Sequence, residues 1–437
     1  MRTIAKIVVL GANGTMGAST GAVFAMAGYP TVLLARTAAK AEAGRARAAQ
    51  LAGSLAPGAL SCGTYDADLE RELATADLVL EAVAEDVATK RGLLARVDQA
   101  RAPGTIVATL SSGLSIRGLC AGRTASFQRH FLGVHLFHPA TSVVGCELIP
   151  HATTDFGVVA VVRDLLTGRL GREVVETADS PGFAGNRVGF RLLNEVAQLA
   201  EEHGVAFMDQ LVGTHTGRAL APLATIDLVG WDIHKAIVDH LRASTHDIAH
   251  DEFRLPASIQ RGIDRGHLGR KTPHHGGYYR IEGTGAAATE LVLDLQTGEY
   301  RPLQEMQPVM PAFVDEMKAQ VRSGGDRGYR AAIHILCTAS GKEAELLRRI
   351  LLGYVSYGLG LVGDVVARPR DIDRIMGFGF HWAPPSVLVD AIGPGRTIVM
   401  LERAQLPIPQ AVLEAAVQQR ALFDEPRVDR AGFFAAA

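Results

Sequence analysis

Ile7-Val8-Val9-Leu10-Gly11-Ala12-Asn13-Gly14-Thr15-Met16-Gly17 is the stretch on which the fold turns. Residues 5–10, Ala-Lys-Ile-Val-Val-Leu, end in the continuous, largely β-branched apolar run Ile7 to Leu10, the pattern of a strand buried on both faces. Gly11, Gly14 and Gly17 follow, and an alanine-rich helical stretch then runs to Gly28 and Pro30. Glycine tolerates positive φ and a close backbone approach, and a helix opening on such a turn presents free N–H groups and a positive dipole end. Strand, tight turn and helix in this order suit a dinucleotide pyrophosphate, held by Gly11, Gly14, Thr15, Met16 and Gly17. The spacing is GxxGxxG, one residue longer than GxGxxG, and an ordinary glycine-rich turn between strand and helix has the same pattern.

Working outward, further strands are expected at Thr31–Leu34, Asp77–Val83, Thr105–Leu110 and Phe131–Phe137, with a long helix opening at Thr37. Strands alternating with helices imply right-handed crossovers and a doubly wound parallel sheet covered on both faces, an α/β domain. A short α/β stretch continues from residue 145 to Asp179, and Ser180-Pro181-Gly182 reads as a break. Residues 183–270 then show helical periodicity, and Leu291 to Pro302 looks like a hairpin around Gln296-Thr297-Gly298, with helix resuming by Gly328. The expected domains are 1–182, dinucleotide-binding; 183–282, helical; 283–325, a linker with the hairpin; and 326–437, helical.

The last of these looks like a copy of the second. Ala221-Pro222-Leu223-Ala224-Thr225-Ile226-Asp227-Leu228-Val229-Gly230 recurs as Pro384-Pro385-Ser386-Val387-Leu388-Val389-Asp390-Ala391-Ile392-Gly393, an offset of 163. At that offset Asn186 falls on Arg349. Two buried helices sharing an apolar pattern would give the same match.

Composition removes several function classes. Of 437 residues 48% are apolar and 21% charged, so the chain affords a large core and is not disordered. Lys and Arg number 44 against 46 Asp and Glu, a net charge of −2, which argues against a nucleic-acid surface. The longest near-apolar run, between Arg349 and Asp364, is broken by glycines and falls short of the ~20 residues that span a bilayer, so no membrane segment is expected. Cys62, Cys120, Cys146 and Cys337 lack CxxC spacing, which predicts no disulfide framework, no metal site and a reducing, cytoplasmic location.

For hydride chemistry, a short-chain reductase needs Tyr-x-x-x-Lys, and none of the eight tyrosines has a lysine four residues on. The chain offers instead His135 in Gly133-Val134-His135-Leu136-Phe137-His138-Pro139, twelve residues before Glu147. An alcohol loses a proton as its hydride leaves, imidazole titrates near the working pH, and a carboxylate on a neighbouring strand would fix its tautomer. Taken alone, a histidine such as His135 is more often a satisfied core residue. The second strand ends Leu34-Ala35-Arg36-Thr37, without the carboxylate that usually binds the adenosine ribose. Arg36 suits a 2′-phosphate, favouring NADP, or stacks on adenine while NAD binds. His138 reads as structural or as a cleft-wall group, and Cys146 as pointing away from the site.

Taken together, the motifs resemble the L-3-hydroxyacyl-CoA dehydrogenases. Those carrying the resemblance are His135 with Glu147, Ser111-Ser112-Gly113-Leu114, Asp179 to Arg187, Asp77 to Asp86, Gly269-Arg270-Lys271-Thr272 with its Gly-Tyr-Tyr sequel, and Asp371 to Met376. The resemblance implies a Rossmann-type domain followed by a duplicated all-α region, a nicotinamide cofactor (NAD or NADP) and an acyl-CoA thioester substrate. It implies His135 as base, Glu147 as its orienting partner, Ser112 and Asn186 as hydrogen-bonding groups near the reacting oxygen, and Glu85 and Lys90 lining the cofactor cleft. The chain departs from the family pattern at Leu110 and His138, where Asn is usual, and at Ala35 and the fingerprint spacing. No fused hydratase segment is expected, and the helical copy would replace a partner subunit, giving a monomer with an internal pseudo-dimer, or a homodimer. A dehydrogenase of a non-CoA 3-hydroxy acid, and a non-catalytic nucleotide-binding protein, share these motifs.

Overall fold

The computed structural model describes residues 4–285, 288–322 and 325–424, so the expected linker and last domain lie partly outside the described residues. The chain divides into two compact units, Met1–Phe183 and Ala184–Ala437.

The first unit is built on strands β1 (Ile7–Leu10), β2 (Thr31–Ala35), β3 (Leu60–Thr64), β4 (Leu78–Glu81), β5 (Ile106–Thr109), β6 (Phe131–Leu136), β7 (Gly145–Ile149) and β8 (Glu173–Glu176). Its helices are α1 (Thr15–Met26), α2 (Ala38–Ala52), α3 (Tyr65–Leu73), α4 (Val87–Ala100), α5 (Ile116–Cys120), α6 (Ala125–Arg129) and α7 (Phe156–Asp164). The sheet runs β3-β2-β1-β4-β5-β6-β7-β8. Every residue of β1 is buried because it sits mid-sheet with helices over both faces. Alternate residues feed two cores: Ile7 and Val9 go to one, Val8 and Leu10 to the other. β1 pairs in parallel with both β2 and β4, so the strand order reverses there, and such a switch point opens a crevice at the strands' carboxyl ends.

Contrary to the wholly parallel sheet expected from sequence, one step is antiparallel. β7 runs antiparallel to β6, and β8 runs parallel to β7. Residues 137–144 joining β6 to β7 contain no crossover helix, and a parallel return requires one. That reversal sets His135 directly opposite Glu147 in the register.

The second unit contains α8 (Gly185–His203), α9 (Val205–Leu211), α10 (Pro222–Val229), α11 (Trp231–Ser244), α12 (Ala257–Asp264), α13 (Ala312–Arg322), α14 (Gly325–Thr338), α15 (Lys342–Gly360), α16 (Pro369–Arg374), α17 (Pro385–Ile392), α18 (Pro394–Arg403) and α19 (Gln410–Val417). Helix thus resumes at Ala312, ahead of the Gly328 expected from sequence. Strands β9 (Tyr279–Glu282), β10 (Thr289–Leu293) and β11 (Tyr300–Pro302) form an antiparallel sheet in which the expected hairpin is β10–β11, Leu293 opposite Tyr300.

The internal similarity appears as repeated geometry. Asp227 on α10 accepts from the Tyr278 and Tyr279 N–H groups, both at 2.8 Å. Asp390, its counterpart on α17, accepts from Leu422 and Phe423 N–H at 2.7 and 3.1 Å. Gly230 and Gly393 close those helices with φ of 100° and 96°. Asp209 and Asp373 likewise take the first N–H groups of α10 and α17, from Leu223 at 2.8 Å and Ser386 at 3.0 Å. The copies differ where the chemistry was expected. Asn186 is buried in the first turn of α8, whereas Arg349 is exposed in the interior of α15, its guanidinium on the Ala404 carbonyl at 3.3 Å.

Candidate active site

The glycine fingerprint is shaped by close approach. A Cβ on Gly11, whose φ is +92°, would lie 2.5 Å from the Ala82 carbonyl oxygen, and one on Gly17 would lie 2.2 Å from that of Gly11. Gly44 of α2, which sequence reading passed over, approaches Ala12 as closely, at 2.4 Å. Gly14 precedes α1 with no side-chain cap, and the first turn, beginning Thr15-Met16, carries no acidic residue. No acidic side chain of its own first turn competes for the free N–H groups and dipole at this terminus, which fits the pyrophosphate of a dinucleotide. At the end of β2, Ala35 is buried and Arg36 exposed, and Thr37 caps α2 by accepting the Lys40 N–H at 3.3 Å.

Beside the switch point lies a buried ionic network whose centre the sequence reading missed. Glu81, the last residue of β4, is 0% exposed. It accepts from Lys90 Nζ at 2.9 and 3.1 Å, from the Val83 N–H at 2.7 Å and from Thr109 Oγ1 at 2.6 Å. Its signal was available: a lone carboxylate ending a buried apolar strand requires a cation and donors. Lys90 also donates to the Val83 carbonyl at 3.2 Å and lies 3.3 Å from Glu85 Oε2. Glu85 in turn accepts from Ser111 Oγ at 2.5 Å and the Ser112 N–H at 2.8 Å. Glu85, Lys90 and Ser112 thus belong to one network, in which Lys90 fixes the loop after β4 and Glu85 fixes the loop after β5.

That second loop is pinned from its other side. Asp179 accepts from Ser115 Oγ at 3.1 Å and from the Ile116 and Arg117 N–H groups at 2.8 Å each, capping α5. The Gly182 N–H donates to the Gly113 carbonyl at 3.2 Å. The Ser111–Ser115 segment is therefore held from one side by Glu85 and from the other by Asp179 and Gly182.

His135 and Glu147 meet as expected. Nδ1 of His135 lies 2.6 Å from Glu147 Oε2, with the histidine 5% and the glutamate 0% exposed. Glu147 accepts, so Nδ1 carries the proton and Nε2 keeps the lone pair, the tautomer a general base needs. Phe137 and Phe183 flank the imidazole, with ring centroids at 4.9 and 5.8 Å. These apolar walls, also unread in the sequence, lower the local dielectric and strengthen the pair. Cys146 packs in the opposite core, as alternation along β7 demands, and burial pushes its thiol up to about 12. His138 lies beyond the end of β6 and is exposed. Among the described residues no cluster of three or more His, Cys, Asp or Glu could hold a metal, and no helix is long and apolar enough to cross a membrane.

Comparisons with known proteins establish the family. Residues 6–180 match the family model of the 3-hydroxyacyl-CoA dehydrogenase NAD-binding domain, and residues 182–279 match that of its C-terminal domain. A probable 3-hydroxyacyl-CoA dehydrogenase of Deinococcus radiodurans is 33% identical over 292 residues, 63% of this chain and 83% of that protein. One of Bacillus subtilis is 29% identical over 356 residues, 80% of this chain, which spans only 43% of that relative's length. The crystal structure of Escherichia coli 3-hydroxybutyryl-CoA dehydrogenase superposes with a TM-score of 0.68 at 20% identity, covering 95% of this chain and 99% of that one, a likeness of fold through both helical repeats. The chain belongs to the 3-hydroxyacyl-CoA dehydrogenase family.

Proposed function

We propose that this protein interconverts (S)-3-hydroxyacyl-CoA and 3-oxoacyl-CoA thioesters, with His135 as the general base. The carrying observation is the buried His135–Glu147 pair across the antiparallel β6–β7 step. The nicotinamide, when bound, supplies a hydride acceptor at its C4. His135 Nε2 takes the proton of the 3-hydroxyl as the C3 hydride leaves, and Glu147 stabilises the resulting imidazolium across the Nδ1 hydrogen bond. Ser112 and Asn186 hydrogen-bond the reacting oxygen. In support, Ser112 sits in a loop fixed by Glu85 and Asp179, and Asn186 is buried in the first turn of a long helix. Phe137 and Phe183 keep water from the imidazole, which sharpens the electrostatics of the step.

The cofactor side of the proposal is NADP as well as NAD. Ala35 offers no carboxylate to a ribose 2′-hydroxyl, and the exposed Arg36 guanidinium beside the α2 cap is a partner for a 2′-phosphate. The second helical repeat takes the place of a partner subunit, so the expected species is a monomer; light scattering that shows a dimer joined through the first repeat overturns this. All four cysteines are free thiols, which supports a cytoplasmic location. The deciding assay gives purified protein acetoacetyl-CoA with each reduced cofactor in turn. Turnover supports the reading. Cofactor binding without turnover supports a non-catalytic protein, and activity only on free 3-oxo acids supports a dehydrogenase of a non-CoA acid.

A further inference from the structure

The two helical repeats face each other through α8 and α15, and the contact between them is one-sided. Arg187, the residue after Asn186, is 9% exposed. Its Nε donates to Tyr357 Oη at 3.1 Å, and its Nη2 donates to Asp247 Oδ2. Tyr357 Oη donates to that same Asp247 oxygen at 2.9 Å, closing a three-membered ring of hydrogen bonds. The guanidinium carbon lies 5.8 Å from the Tyr357 ring centroid, and Asp247 is itself fixed by the Ala249 N–H at 3.0 Å. One turn along each helix, Arg191 of α8 lies against Gly353 of α15, where a Cβ would come within 2.7 Å of its Nη1.

A symmetric pair of repeats would make this contact twice, because residues related by a two-fold exchange partners reciprocally. The 163-residue offset maps Arg187 to Ile350 and Tyr357 to Asn194. Ile350 is a buried aliphatic residue, and Asn194 donates to the Glu252 and Arg254 carbonyls of its own repeat at 2.6 and 2.9 Å. The polar ring therefore exists only on the side that carries Asn186.

From this asymmetry we propose that Tyr357, contributed by the second repeat, is a positioning residue that fixes Arg187 and with it the first turn of α8 in which Asn186 sits. The second repeat is then part of the working site rather than a silent copy. This inference rests on the role of Asn186 proposed above. An ångström of misplacement at a reacting group costs up to ~10²-fold in rate, and loss of one hydroxyl from a ring that keeps its Arg187–Asp247 bond costs a part of that.

The test is a double-mutant cycle on the full chain. Tyr357→Phe keeps the ring and removes only the hydroxyl; kcat is expected to fall about tenfold with KM for acyl-CoA and cofactor within about twofold. Asn186→Ala is expected to lose more, and the double variant to match Asn186→Ala alone. Should Tyr357→Phe not accumulate as folded protein, Asp247→Asn is read in the same way. A silent Tyr357→Phe beside a costly Asn186→Ala, or additive losses in the double variant, overturns the positioning role and leaves the Asn186 reading standing. A silent Asn186→Ala overturns both.

Discussion

Replacing Glu147 by glutamine keeps the volume of a side chain that is 0% exposed and removes only its charge. In the native pair the carboxylate faces His135 Nδ1 at 2.6 Å inside an aromatic-walled site. A full charge pair with centres ~4 Å apart at an effective dielectric of ~20 interacts by about 4 kcal/mol. A neutral amide oxygen recovers part of that, so the imidazolium formed in the reaction loses about 3 kcal/mol, or ~10²-fold in rate. The amide adds a second cost: it can present its NH₂ to Nδ1, which moves the imidazole proton to Nε2, the wrong tautomer for accepting one. Glu147→Gln should therefore lower kcat by ~10² to 10⁴-fold, with KM for the cofactor nearly unchanged. The assay follows the near-ultraviolet absorbance of the reduced cofactor formed from (S)-3-hydroxybutyryl-CoA and the oxidised cofactor, the direction in which His135 accepts the proton, alongside a thermal melt that shows the variant folded. A kcat within about threefold of the native protein would refute the reasoning, because the pair would then be a core contact without catalytic consequence.

Other predictions test separate parts of the account. Lys90→Met leaves Glu81 charged and buried with only Thr109 and the Val83 N–H, and should destabilise the protein by about 3 to 5 kcal/mol in chemical denaturation; a loss under about 1 kcal/mol would show that those two donors suffice. Asp373 is buried, and burial raises its carboxyl to about 7 from 3.8. The native state then holds a proton that the unfolded chain has lost, so this group's contribution is full below ~4 and disappears as pH rises through about 7. Asp373→Asn keeps the acceptor for the Ser386 N–H and should flatten that slope, gaining at most about 4 kcal/mol over the native protein at alkaline pH; parallel denaturation midpoints for the two proteins across that range would contradict it. Arg36→Ala should raise KM for NADPH about tenfold or more while moving KM for NADH little, and a strong NADH preference in the native protein would end the assignment of Arg36 to a 2′-phosphate.

The first unit was legible where local pattern and chemistry coincide. The β1 run, the three glycines and the Thr37 cap each act within a few residues of themselves, so spacing alone carried them. β3 was not read because Leu60-Ser61-Cys62-Gly63-Thr64 is a half-buried edge strand with one strong apolar residue, and strand signals come from burial. The antiparallel turn of β7 was invisible because Gly145–Ile149 is buried throughout and an apolar run has no direction in sequence. The His135–Glu147 pair was legible nonetheless, since the spacing and residue types matched a family pattern, while Phe137 and Phe183 became site residues only when the chain brought their rings to the imidazole. In the second unit the repeated aspartates could be read as a pattern. That Asp227 and Asp390 each hold two consecutive N–H groups from residues far along the chain could not.

Whether His135 is the base that takes the hydroxyl proton is tested most directly by steady-state oxidation of (S)-3-hydroxybutyryl-CoA by the native protein and His135→Gln, with cofactor affinity measured by titration in both. The account predicts a loss of ~10² to 10⁴-fold in kcat at nearly constant cofactor affinity. Equal turnover in the two proteins would contradict it.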